Sequence, residues 1–155
     1  MKPLIVILAA VLAGLLASPA LAATTPAGHS RFVGIYSDIA SWCAGARTGG
    51  GPVSSVPCNK GIPFSATRWT RRGATFRTRA RGLCLADAAG AVVTRRCDGR
   101  PFQAWTQNRA RQLVNEASGQ CLALPGQPGP LAMAACVPGP AGEYQWWNLL
   151  RPQGA

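Results

Sequence analysis

The placement of six cysteines, at positions 43, 58, 84, 97, 121 and 136, constrains this chain more than any other feature. They fall into three pairs whose members stand 15, 13 and 15 positions apart, and the leading members of successive pairs are separated by 41 and 37 positions. Six cysteines admit fifteen connectivities. A threefold spacing makes local pairing the simplest: Cys43–Cys58, Cys84–Cys97 and Cys121–Cys136. Zinc ligation is disfavoured, because no pair has the short C-x-x-C spacing that tetrahedral sites use. A disulfide closing a loop of this size is worth roughly 3 kcal/mol in the chain-entropy model.

Other residues keep the same phase. Eight positions before each leading cysteine stands an apolar residue: Ile35, Phe76 and Leu113. After each trailing cysteine comes an aromatic and then a tryptophan: Phe64 with Trp69, Phe102 with Trp105, Tyr144 with Trp147. Two of these tryptophans close a Gln-x-Trp triplet, Gln103-Ala104-Trp105 and Gln145-Trp146-Trp147, where the first repeat has Thr67-Arg68-Trp69. The segments Gly82-Leu83-Cys84-Leu85-Ala86 and Gly119-Gln120-Cys121-Leu122-Ala123 also match. Repetition at about 40 residues marks an architecture of like supersecondary units.

The local pattern is that of short strands. The segment from Ala74 to Arg79 alternates apolar or Thr with Arg, and Ala91–Thr94 and Leu131–Ala134 run as short strands into the trailing cysteines. Gly- and Pro-rich turns separate them, at 49–52, 125–130 and 138–140. No window carries a sustained helical stripe. The expected class is therefore all-β, with about four short strands per unit and a core that only three units together can close.

Met1-Lys2 followed by an uncharged, mostly aliphatic run from Leu4 to Ala17, a Ser18-Pro19 break and Ala20-Leu21-Ala22 reads as a signal peptide over residues 1–22. The run is shorter than the roughly 20 apolar residues a membrane span needs. Residues 23–31 form an expected flexible arm, and the domain is expected to occupy 32–152. Export to a secreted or periplasmic location suits disulfide formation.

The chain carries a net charge of +11, which falls by one with the loss of Lys2. Most of its arginines lie between Arg68 and Arg111, and Arg77, Arg79 and Arg81 alternate as they would along one face of a strand. Such a patch either attracts anionic glycans, lipid head groups or acidic proteins, or is a solvated face of an Arg-rich composition. Export, disulfides and the absence of a nucleic-acid motif argue against nucleic acid as a partner. Trp146 should face away from Trp147, and with Phe102 and Tyr144 it offers either a stacking platform for a ligand or packing beneath a loop.

Catalysis finds no support. His29 is the only histidine and lies in the expected arm. The acids Asp38, Asp87, Asp98, Glu116 and Glu143 are scattered, and none is marked as a carboxylate pair of the kind glycoside hydrolysis requires. No nucleotide fingerprint or metal cluster is present, so no cofactor and no metal are expected.

The triple recurrence of Cys-Leu-x, a Gly turn, a short strand, Cys and Gln-x-Trp resembles the ricin-type (R-type) lectin β-trefoil over roughly residues 32–150. The resemblance implies three units about a pseudo-threefold axis, with Trp69, Trp105 and Trp147 in the shared core and Gln103 and Gln145 in structural roles. Sugar-binding repeats of that family place Asp directly after Cys-Leu and Asn before the Gln of Gln-x-Trp. Here the Asp position holds Ala86 and Ala123, the first repeat has Cys43-Ala44-Gly45, and the Asn position holds Phe102 and Tyr144. Asp87 stands one residue late, where a strand turns its side chain to the other face. The chain is also similar to the A and C subunits of cytolethal distending toxins, through Trp147-Asn148-Leu149-Leu150-Arg151-Pro152. The resemblance implies non-catalytic recognition of a glycan or glycoconjugate; with the usual acid missing, the charge and aromatic pattern gives Asp87, Arg77, Arg79, Arg81, Phe102, Tyr144 and Trp146 as candidate contacts. The alternative it implies is a toxin cell-binding subunit acting through partner proteins. Peptide mapping without reduction should return only links within repeats; a link between repeats would dissolve the threefold reading.

Overall fold

The computed structural model describes residues 31–37, 41–47, 49–58, 67–79 and 82–150. The expected signal peptide and nearly all of the arm, His29, Asp38, Phe64 and Arg81 lie outside them. The described residues form a 12-stranded sheet. Its strands are β1 (Arg31–Ser37), β2 (Trp42–Ala46), β3 (Gly51–Pro57), β4 (Trp69–Arg72), β5 (Thr75–Thr78), β6 (Cys84–Ala88), β7 (Ala91–Arg95), β8 (Trp105–Gln107), β9 (Leu113–Asn115), β10 (Cys121–Ala123), β11 (Ala132–Ala134) and β12 (Trp147–Leu150). Two 3-10 turns, Pro101–Gln103 and Pro140–Gln145, precede β8 and β12.

Six strands form a closed circuit. β1 pairs with β12 and β4, β4 with β5, and β8 with β9, all antiparallel. The Trp105 N–H donates to the Ala74 carbonyl at 2.8 Å and the Trp147 N–H to the Arg111 carbonyl at 2.9 Å, which set β8 beside β5 and β12 beside β9. The other six form hairpins, β2–β3, β6–β7 and β10–β11. These join one another through β3–β7, the Ala91–Ala132 pair of β7 and β11, and a Ser54–Pro130 bridge. A barrel capped by three hairpins is the expected β-trefoil.

The strands alternate as the sequence does. In β5, Phe76 and Thr78 are buried and Thr75 and Arg77 half-buried; in β7, Val92 and Thr94 are buried and Ala91 and Arg95 exposed. Ile35, Phe76 and Leu113 are fully buried, as are Trp69 and Trp105, with Trp147 at 1%. Trp42 is half-buried and packs against this core.

Each core indole is also a clamp. The Nε1–H of Trp69 donates to the Ala44 carbonyl (3.0 Å), that of Trp105 to Leu85 (3.1 Å) and that of Trp147 to Leu122 (2.9 Å). In every repeat the acceptor is the residue after the leading cysteine, so the barrel strand holds its own repeat's hairpin. The disulfides Cys43–Cys58, Cys84–Cys97 and Cys121–Cys136 are all formed, with Cα–Cα distances of 5.1, 5.0 and 5.1 Å.

The glutamines of Gln-x-Trp hold the chain on both sides of the trailing cysteine. Gln103 donates from Nε2 to the Arg96 carbonyl (2.8 Å) and accepts at Oε1 from the Asp98 N–H (3.0 Å). Gln145 does the same with the Ala135 carbonyl (2.7 Å) and the Val137 N–H (2.9 Å). A side-chain amide suits this job, since it offers a donor and an acceptor on one planar group. Thr67 in the first repeat is too short to span two backbone sites in this way.

The strand expected over 74–79 ends instead at Thr78, because the chain there reverses to lay β6 beside β5. The Thr78 N–H donates to the Leu83 carbonyl (2.7 Å), the Leu83 N–H to Thr78 Oγ1 (3.1 Å) and the Gly82 N–H to the Thr78 carbonyl (3.0 Å). Gly82 turns at φ +62°, a conformation that favours glycine. Arg79 therefore sits in the turn, exposed, and not on a strand face with Arg77.

Two substitutions test these clamps by chemical denaturation. Trp105→Phe withdraws the indole N–H from the Leu85 carbonyl and leaves a small void, an expected loss of about 2–3 kcal/mol. Gln145→Leu strands the Val137 N–H and the Ala135 carbonyl, an expected loss of at least about 2 kcal/mol. A denaturation midpoint unchanged in either variant would contradict the assigned role.

Candidate functional site

Strand registers place equivalent residues in the three hairpins. Cys43 pairs with Val56, Cys84 with Arg95 and Cys121 with Ala134. Two residues on, Gly45, Ala86 and Ala123 are likewise equivalent, opposite Ser54, Val93 and Ala132. Gly45, Ala86 and Ala123 therefore hold the place where the family resemblance puts an acid, and none of them carries a polar side chain.

In the third repeat these positions border a cavity of about 260 Å³, lined by Ala123, Leu124, Pro125, Ala134, Val137, Ala141, Tyr144 and Gln145. Its outer wall is the Pro140–Gln145 turn. Pro140 starts this turn, where its fixed φ and missing N–H are tolerated. The Leu124 N–H donates to the Tyr144 carbonyl (2.9 Å), tying the turn to the end of β10. A Cβ on Gly142 would collide with the Val137 carbonyl, so the turn and the Val137 backbone approach this closely only because residue 142 is glycine.

The chemistry of this cavity is simple. Gln145 is 4% exposed and its amide is engaged: besides the two backbone bonds, Oε1 accepts from Gln112 Nε2 at 2.9 Å. The side chain that remains to meet a ligand is Tyr144, 52% exposed, an aromatic face with a hydroxyl. No charged side chain lines the cavity. It can hold an apolar surface against a ring, with polar contacts confined to the rim.

The other candidates are distributed around the molecule. Asp87 is buried, and its Oδ1 accepts the Gly90 N–H at 2.9 Å, closing the β6–β7 turn in which Ala89 and Gly90 both have positive φ. Phe102 is half-buried in the 3-10 turn before β8, with the Arg95 guanidinium 5.6 Å from its ring centroid. Trp146 is half-buried, with the Arg111 guanidinium 5.5 Å from its ring. Phe102 and Trp146 are thus already faced by cations of this chain. Arg77 lies on β5 opposite Thr70, and its Nε is buried without a hydrogen-bond partner among the described residues. Of the candidates within the described residues, the structure brings only Tyr144 to the cavity. The small residues Ala134, Val137 and Ala141 escape sequence reasoning, because alanine and valine carry no chemical signal until the fold leaves space beside them.

Among the described residues, no three of His, Cys, Asp and Glu gather as metal ligands, and no helix is long and apolar enough to cross a membrane.

The ricin-type β-trefoil lectin domain model matches residues 34–147. No curated protein shows significant sequence similarity to the chain. Among solved structures, GalNAc-T7 with UDP, GalNAc and Mn2+ aligns at 17% identity and a TM-score of 0.63, covering 78% of this chain and 22% of that one. The hemolytic lectin CEL-III aligns at 22% identity and a TM-score of 0.65, covering 81% and 33%. The cytolethal distending toxin from Actinobacillus actinomycetemcomitans aligns at 13% identity and a TM-score of 0.65, covering 79% and 92%. The chain thus spans a third or less of the first two and nearly the whole of the toxin chain. Identities this low establish a common fold. With the three clamped repeats and a family match running from β1 into β12, the chain belongs to the ricin-type β-trefoil lectin family.

Proposed function

We propose that this protein is an exported, non-catalytic carbohydrate-binding module that recognises a glycan or glycoconjugate through its third repeat. The observation that carries the reading is the cavity of about 260 Å³ beside Tyr144. It lies at the place where the family resemblance puts the sugar contacts, and it has the mostly apolar lining with a polar rim that small-ligand sites share. Tyr144 supplies a face for the C–H surface of a pyranose and a hydroxyl for one of its oxygens. With Ala123 where an acid would accept from sugar hydroxyls, the site favours ligands with an apolar face or substituent over ordinary galactosides. Fixed partners for several hydroxyls are missing, so the affinity of one isolated site should be modest, in the millimolar range (about −4 kcal/mol).

The surrounding charge adds a preference for anionic glycoconjugates. At a net charge of +11, the chain raises the local concentration of negative ligands. Arg72, exposed on the β4–β5 hairpin, offers its guanidinium to a sulfate or carboxylate.

A second reading, a cell-binding subunit of a multi-subunit toxin, is favoured by one observation. The alignment takes in 92% of the toxin chain, whereas the hemolytic lectin carries the fold as one part of a longer chain. On this reading the apolar cavity receives a partner protein's side chain.

A glycan array probed with the oxidised chain separates the two. The first reading expects sugar-inhibitable binding that falls at least tenfold, about 1.4 kcal/mol, in Tyr144→Ala, and that weakens with added salt for anionic ligands. Silence on the array, with co-purification of a protein encoded beside it, would replace the first reading with the second.

A further inference from the structure

The three equivalent hairpin positions carry different side chains, and in the second and third repeats the difference decides whether a gap is filled. In the first repeat Val56 lies directly over Gly45: a Cβ built on Gly45 would stand 2.5 Å from Val56 Cγ2. In the second repeat Arg95 reaches across to the ring of Phe102, its guanidinium carbon 5.6 Å from the centroid. Phe102 and Tyr144 are equivalent, each preceding the glutamine that clamps its trailing cysteine. In the third repeat the position of Val56 and Arg95 is Ala134, and the space between Ala134 and Tyr144 is the cavity.

We infer that Arg95 is an internal plug: it fills in the second repeat the gap that Ala134 leaves open in the third, so that of these two repeats only the third takes a ligand. The ligand step rests on the third repeat being the binding site; the plug itself does not. Arg95 is suited to its part. Its planar head lies on the aromatic face of Phe102. Arg95 is exposed, and among the described residues the ion pair of this region is Arg100 with Asp98 at 3.5 Å, which leaves Arg95 out. Its truncation therefore removes the plug without leaving a buried charge.

Dissolved xenon is the probe, because it enters apolar cavities whatever the natural ligand is. In amide NMR spectra of the oxidised chain, xenon should shift residues 134, 137 and 144 and leave those around Phe102 unmoved. Arg95→Ala should add a second set of shifts, at residues 86, 96, 102 and 103. Ala134→Arg should abolish the first set, and its remaining spectrum reports whether the chain is folded. Xenon shifts around Phe102 in the parent chain, no new shifts in Arg95→Ala, or shifts at 137 and 144 that persist in folded Ala134→Arg would each overturn the plug. A parent chain that takes xenon at the third repeat but no glycan on the array would reject the carbohydrate reading and leave the plug standing.

Discussion

A buried indole N–H donating to a backbone carbonyl holds this structure together three times over. Trp69, Trp105 and Trp147 each begin a barrel strand, and each reaches the residue following the leading cysteine of its own repeat. A tryptophan does two things here that phenylalanine could not. It fills the centre of the barrel, and its one donor fixes which hairpin it faces. The disulfide then ties the hairpin to the loop that leads back to the tryptophan. In the second and third repeats a glutamine holds that loop on either side of the bridge. Each unit is thus locally anchored, yet its apolar residues are buried only against the other two.

This division of labour leaves the hairpin surfaces free to diverge. Nothing in the clamps depends on what stands at Gly45, Ala86 and Ala123, or at Val56, Arg95 and Ala134. The three surfaces accordingly have three characters: a valine packed on a glycine, an arginine laid on a phenylalanine, and an alanine beside an open tyrosine. Threefold scaffolding with unlike surfaces is what results when the clamp residues repeat and the surface residues do not.

Arginine has a similar double character. Arg71, Arg95 and Arg111 lie over Phe76, Phe102 and Trp146, where the guanidinium works as a flat cover for an aromatic ring. Arg72 and Arg96 instead stand exposed. The basic composition therefore divides between side chains that finish the fold and side chains that face solvent.

The repeats, the disulfide pairing, the core tryptophans and the all-β class were legible in the order of residues. Each of these is written in residue types that recur at a fixed period, and local chemistry is enough to read them. The same order also showed that the usual acid is missing from every repeat. What stands in its place emerges from the packing of the folded chain. Asp87 closes its own turn, Arg79 falls in a reversal after Thr78, Arg95 covers Phe102, and a cavity opens at Ala134. A cavity is made of what neighbouring side chains fail to fill, and that depends on strand register between segments far apart in the chain. No single residue announces it.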